Sequence, residues 1–449
     1  MSQSGVRNLT EGKIFRQLIQ LAMPLMAMGF ISMAYTLTDM AWIGRLGDRE
    51  ASAIGAVGIL TWLTSTLALL PKLAAEISIA QSIGSKRMDE ARRYASHAVT
   101  IALILGVVIC LILVGGAAYI VSFFKLDEDI TAMGVSYLRI VAFGLPAFYL
   151  SYTFAGVYNG AGRTTIPFYV MSVGLICNIL LDPLFIFGIG PIEGLKTDGA
   201  AIATLISQAI VCLLFVREMK KANGILNRFP YFVKLQKSYT SRIFRLGTPI
   251  AMMNFFFACV NFTIARIASI YGGHLGVMSQ TYGSQIEGLT WNSSQGFSTA
   301  LGTFVAQNYT AGKPVRTRKA YRYTLATLLS LGVLISLAFF FFGKEIFGLF
   351  VPQPEAMIKG GEYLYIMAFC QVFMMLETTT LGMWNGYGRT TPPAVISITL
   401  NLARIPLALW LAPIMGITGV WWAITISSIA KGIISFTWWK LASLRYGKG

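Results

Sequence analysis

The sequence predicts an all-α membrane protein with twelve transmembrane helices in two pseudo-twofold-related six-helix lobes. Three observations carry that prediction. The chain is 55% hydrophobic and only 12% charged, whereas a soluble domain carries about a quarter charged residues. Apolar stretches of roughly 20 residues, each long enough to span a bilayer as a helix, recur from end to end. The third observation is a long internal repeat, described below. The ten-residue alternation expected of a membrane barrel is absent.

The predicted spans cover about 14–44, 53–83, 95–123, 134–158, 166–189, 199–216, 246–272, 277–309, 323–343, 361–384, 391–413 and 418–438. The first carries Pro24 and Asp39 with no small-residue cleavage site, so it reads as a retained span and not a signal peptide. A net charge of +17 raises nucleic acid as a partner, but the distribution of the charge excludes it. Loops on the side of both termini hold 25 lysines and arginines, against six on the other side. The positive-inside rule therefore puts both termini in the cytoplasm, in a multi-pass protein of the inner membrane. The basic excess also attracts anionic membrane lipid.

GVYNGAGRTTIP at Gly156–Pro167 returns 226 residues later as GMWNGYGRTTPP at Gly382–Pro393. The same shift carries Ala80-Gln81 onto Ala306-Gln307, and the segments entering at Pro24 and Pro249 match one residue out of step. The predicted organisation is an amino-terminal lobe (1–216), a cytoplasmic linker (217–245) and a carboxy-terminal lobe (246–449). Six spans per copy give both copies one orientation, a frame suited to alternating access. The repeat fails at its acids: Asp39 is matched by Ile264 and Asp182 by Ile405, while Asn178 keeps its asparagine as Asn401.

Those failures mark the chemistry. Asn178 and Asp182 lie four residues apart and share one helical face, with Pro183 next. A carboxylate inside a bilayer costs about 2.5–3.5 kcal/mol on insertion scales and is retained when a cation, proton or partner compensates it. A hydrogen bond from Asn178 to a neighbouring helix is the plainer account. Asp39 follows Pro24 by fifteen residues, and that proline removes a backbone hydrogen bond and invites a kink. Tyr35 is one turn before Asp39, and Thr204 offers a hydroxyl on the sixth span. Asp39, Asn178, Asp182 and Thr204 would together form an all-oxygen pocket for a hard cation such as Na+. Alternatively, two close carboxylates share a proton.

With these residues in view, the chain resembles the prokaryotic multidrug and toxic compound extrusion (MATE) family along essentially its whole length. The resemblance is carried by Pro24…Asp39 and WIGRLG, the paired NGAGRTT and NGYGRTT loops, and the AQSIGSK and AQNYTAGK segments. Asn178-x3-Asp182-Pro183 and NLARIP at Asn401–Pro406 complete it. It implies an antiporter, needing no cofactor, that exports amphipathic, mostly cationic organic compounds in exchange for Na+ or H+. It further implies cation coupling at Asp39, Asn178, Asp182 and Thr204, with the first helix bending at Pro24. One branch of the family carries a glutamate in the seventh span, where this chain has Phe257. An acidic site in the second lobe would then rest on Glu287 or Glu377, both candidates for substrate contact, although Arg404 or Arg266 could neutralise Glu377.

Lys72 and Glu76 stand at i,i+4 spacing and are expected to pair. Met253 and its neighbouring methionines are core or lipid-facing by default, and otherwise a soft wall for varied substrates. The five cysteines are scattered through apolar runs as small hydrophobes, and His97 and His274 offer no metal site. Nothing resembles a Walker loop, a dinucleotide fingerprint or a nucleophile–base pair, so no enzyme is expected. The rival transport reading is a flippase of lipid-linked saccharides, which would favour a basic cavity. A non-transporting scaffold or receptor would have no use for intramembrane acids. A monomer suffices for the antiporter.

Overall fold

The computed structural model describes residues 5–189, 192–221, 226 and 229–446. Long apolar helices dominate because bilayer-spanning backbone must satisfy its own hydrogen bonds. In order they are α1 (Ile14–Gly44), α2 (Asp48–Gly84), α3 (Met88–Ser122), α4 (Glu128–Gly160), α5 (Thr165–Phe187) and α6 (Lys196–Lys220). The second half holds α7 (Lys237–Thr310), α8 (Pro314–Gly348), α9 (Pro354–Ala368), α10 (Gln371–Gly386), α11 (Thr391–Leu402), α12 (Arg404–Met415) and α13 (Ile417–Tyr446). After α5 the two-residue strands β1 (Gly188–Ile189) and β2 (Ile192–Glu193) pair antiparallel, Gly188 opposite Glu193.

Among the described residues, ten helices are long and apolar enough to cross a membrane, and eleven when α9 and α10, bent by 51°, count as one span. The 74-residue α7 breaks at Gly273 (φ 55°, ψ −159°) and so supplies the seventh and eighth spans. Counting it twice gives the expected twelve. The tenth span differs from expectation in being bent, with no proline or glycine at the break between Ala368 and Gln371.

By their internal contacts the residues form two compact units: Met1–Asn8 with Ala27–Ala251, and Leu9–Met26 with Met252–Gly449. Each division inside a helix falls two residues after a matched proline, Pro24 in α1 and Pro249 in α7. The sequence alone assigns residues 9–26 to the first lobe; by contacts they group with the second unit. Hydrogen bonds explain that grouping. Leu9 N donates to Gln307 Oε1 (3.1 Å), Asn308 Nδ2 donates to Leu9 O (3.1 Å), and Arg316 Nη1 donates to Gly12 O (3.0 Å). In the first unit the linker is held to α3, where Gln236 N donates to His97 Nε2 (3.1 Å) and Val233 N donates to Thr100 Oγ1 (3.1 Å). His97 is therefore a tie for the linker.

The repeated motif builds the same crossing twice. A Cβ at Gly156 would stand 2.4 Å from the Lys72 carbonyl oxygen, and one at Gly160 would stand 2.6 Å from that of Glu76. The matched Gly382 would meet the Ser298 carbonyl oxygen at 2.4 Å, and Gly386 that of Gly302 at 2.8 Å. Such small-residue pairs let helix backbones approach closely where water gives no driving force. The turn that follows is also shared. Arg163 N donates to Tyr158 O and Gly162 N to Asn159 O (2.9 Å each), around Gly162 at φ 75°. Arg389 N donates to Trp384 O (3.0 Å) and Gly388 N to Asn385 O (2.9 Å), around Gly388 at φ 70°. Both are Schellman caps, whose left-handed residue favours glycine.

Candidate functional site

In the first unit, α5 is drawn against α6 by close approaches at Gly174 to Val211 and at Gly199 to the Phe185 carbonyl. That packing presents Asn178 and Asp182 together. Asn178 Nδ2 donates to Asp182 Oδ1 at 3.1 Å, and the two residues are 2% and 1% exposed. Asn178 Oδ1 and Asp182 Oδ2 are buried without a hydrogen-bond partner among the described residues. The shared face expected from the spacing is thus present, and the Asn178 amide bonds within its own helix.

The hydroxyl of Tyr35, on α1, lies near Thr204 on α6 and within electrostatic reach of Asp39 and Asp182. Asp182 lies within electrostatic reach of Asp39. Among the described ion pairs none involves either aspartate. A sixth member joins from α4: Tyr137 is within reach of Tyr35, Asp39 and Asp182. Sequence reasoning missed it, because a lone tyrosine in an apolar span has no spacing that marks it. The assembly offers carboxylate, amide and hydroxyl oxygens and no soft ligand. Such a donor set suits a hard cation, or a proton shared by the two acids. Pro24 lies inside α1, which continues as helix past it.

In the second unit the acids are compensated. Tyr363 Oη donates to Glu287 Oε2 at 2.8 Å, and Gln371 Nε2 donates to Glu287 Oε1 at 2.9 Å. Glu377 is ion-paired with Lys431 at 3.2 Å, and both are buried. The partner of Glu377 is therefore Lys431 of α13, not either arginine weighed from the sequence. Arg404 donates through Nε to Ser427 Oγ (2.6 Å) and through Nη2 to Ser428 Oγ (3.0 Å), and its guanidinium lies 6.0 Å from the Phe257 ring. Met253 is half-buried on α7, one turn before Phe257. Tyr363 and Gln371 were missed by sequence reasoning; Gln371 was visible as a lone amide in an apolar run, beside the bend that aims it at Glu287.

Lys72 and Glu76 depart from the expected pair. Lys72 Nζ lies 5.3 Å from the Tyr152 ring, and Asn159 Nδ2 donates to Glu76 Oε2 at 3.4 Å. The ring and amide come from α4, which the Gly156–Gly160 crossing brings against α2. Lys72 stays within electrostatic reach of Glu76, as the spacing suggested, but among the described residues the two make no direct ion pair.

A duplicated membrane bundle that retains intramembrane acids has an organisation met among transporters. The MatE family model matches residues 24–184 and 249–410, once in each half. The chain belongs to the multidrug and toxic compound extrusion family, and is a multi-pass membrane protein. It is 26% identical to a Thermotoga maritima protein named probable multidrug resistance protein NorM, over 91% of this chain and 88% of the relative. It is also 26% identical to a Shewanella oneidensis protein named FAD transporter, over 95% of each. A crystal structure of a MATE protein in complex with MaL6 superposes with a TM-score of 0.91 at 21% identity, covering 98% of this chain and 99% of that one.

Proposed function

We propose that the protein is a secondary antiporter that exports amphipathic, mostly cationic organic compounds in exchange for Na+ or H+ by alternating access. The observation that carries this reading is the buried Asp182 Oδ2, which among the described residues has no hydrogen-bond partner and no lysine or arginine within ion-pair distance. An unsatisfied buried charge costs several kcal/mol, a cost that a visiting Na+ or proton relieves. Asp39 is the primary coupling acid and Asp182 its partner; Asn178, Thr204 and Tyr35 are neutral ligands. Pro24 is the hinge of α1, a role supported by the division between units two residues beyond it. Glu287 and Met253 face substrate from the second lobe, with Glu287 the foremost; Glu377, also a candidate from the sequence, is instead taken up by its pair with Lys431. The protein works as a monomer in the inner membrane with both termini cytoplasmic. The relative named as a FAD transporter indicates that membership of the family does not by itself fix the charge of the cargo.

Uptake of a fluorescent cation into everted vesicles, whose cytoplasmic face is outermost, driven in turn by a sodium and a proton gradient, tests the reading. Wild type is expected to respond to at least one gradient, and Asp39→Asn to neither, at equal expression. Full uptake by the Asp39→Asn variant removes that residue from the mechanism.

A further inference from the structure

Glu287 and Glu377 of the second unit are held by neighbouring side chains, but its buried Arg404 is met only by hydroxyls. Arg404 is 5% exposed. Its Nε and Nη2 are held by the hydroxyls of Ser427 and Ser428, which orient a guanidinium without cancelling its charge. Among the described residues no carboxylate comes within ion-pair distance of it, and Nη1 carries no hydrogen bond. Glu287 and Glu377 lie within electrostatic reach, yet both are engaged elsewhere, Glu287 by Tyr363 and Gln371 and Glu377 by Lys431. The Phe257 ring stands 6.0 Å from the guanidinium.

A buried cation fixed in direction by two serines, with one N–H edge unclaimed, is arranged to receive an anion. Guanidinium matches the planar oxygens of carboxylate and phosphate. Phe257 supplies a flat apolar surface on which an aromatic ring can stack. The repeat sharpens this point. The position matching Asp182 in the first unit is the apolar Ile405, and Arg404 beside it matches Leu181, so the second unit drops the acid and sets a positive charge one residue away.

We propose that Arg404, oriented by Ser427 and Ser428 and faced by Phe257, is an anion subsite that takes the carboxylate or phosphate of an aromatic substrate. The proposal deepens the exporter reading by adding anionic aromatic compounds to its cargo. It is tested by equilibrium binding without any gradient, so that a failure of ion coupling cannot mimic its failure.

The matched probes are riboflavin and flavin mononucleotide, which share one ring system and differ by a phosphate. Purified protein in detergent is titrated with each, and flavin fluorescence is read. Wild type is expected to bind flavin mononucleotide at least about tenfold more tightly than riboflavin, as one charged hydrogen-bonded contact allows. Arg404→Gln should abolish the difference while leaving riboflavin affinity in place. Arg404→Lys, which preserves charge but not the planar fork, should keep part of it and covers the case in which Arg404→Gln does not fold. Inorganic phosphate should compete with flavin mononucleotide alone. Equal affinity of wild type for the two flavins, or an undiminished preference in both Arg404 variants, overturns the proposal. Displacement by phosphatidylglycerol but not by inorganic phosphate also overturns it, because it would assign the arginine to a lipid headgroup.

Discussion

The two halves share a crossing, a cap and a turn down to matched glycines, yet they treat charge in opposite ways. In the first, Asp182 has one amide donor and one oxygen without a partner, and among the described residues no lysine or arginine lies within ion-pair distance of Asp39. In the second, Glu377 has Lys431 at 3.2 Å and Glu287 has a donor on each oxygen. The backbone of the repeat serves packing, which both copies need equally. The buried charges are free to diverge because a given helix crossing can enclose either a finished ion pair or an unfinished site. The unfinished one can respond to an ion, since an ion already present as a side chain cannot leave.

If that contrast governs coupling, neutralising an acid should matter far more in the first unit than in the second. Asp182→Asn is expected to lower gradient-driven efflux about 100-fold, the scale of losing a charged contact of about 3 kcal/mol. Glu287→Gln should instead shift the ranking of substrates while leaving the gradient response intact. Efflux rates for a panel of dyes, with and without the gradient, separate the two effects. Loss of coupling for every substrate in the Glu287 variant would mean that the roles of the units are reversed.

Lys431→Met attacks the contrast from the other side. It leaves Glu377 buried and unpaired, which costs about 3–5 kcal/mol when one partner of a buried pair is removed. The thermal midpoint in detergent should fall clearly, and the double variant Lys431→Met with Glu377→Met should recover most of the loss. A single variant as stable as wild type would show that Glu377 is not held by this pair, and the description of the second unit as finished would fail.

The residues themselves show what could be read in advance. Asn178 and Asp182 were legible because an i,i+4 spacing is a local property that survives folding. The twelve spans and the duplication were legible because hydropathy and identity act over long windows. Lys431 was not, since it lies 54 residues beyond Glu377 and nothing local prefers it over Arg404 or Arg266. Lys72 and Glu76 were legible only in part: they lie within electrostatic reach of each other, but Tyr152 and Asn159, which contact them, arrive from another helix. The bend before Gln371 had no proline or glycine to announce it, and so its placing of Gln371 against Glu287 was hidden as well.

Tyr137 provides the finest test of whether the first unit is a site or merely a gap in compensation. It is placed by α4, within reach of Tyr35 and both aspartates. If these oxygens act together on a visiting ion, Tyr137→Phe removes one neutral ligand or donor, worth about 0.5–1.5 kcal/mol. The sodium or proton concentration giving half-maximal efflux should then rise a few-fold to about tenfold, with little change in maximal rate. Thr204→Val should act in the same direction. If the acids are only tolerated in an underpacked region, removing a hydroxyl would leave ion dependence unchanged and, by lowering local polarity, slightly raise stability. An unchanged half-maximal concentration in both variants would therefore confine the ion to Asp39, Asn178 and Asp182 and strip the hydroxyls of any part in holding it.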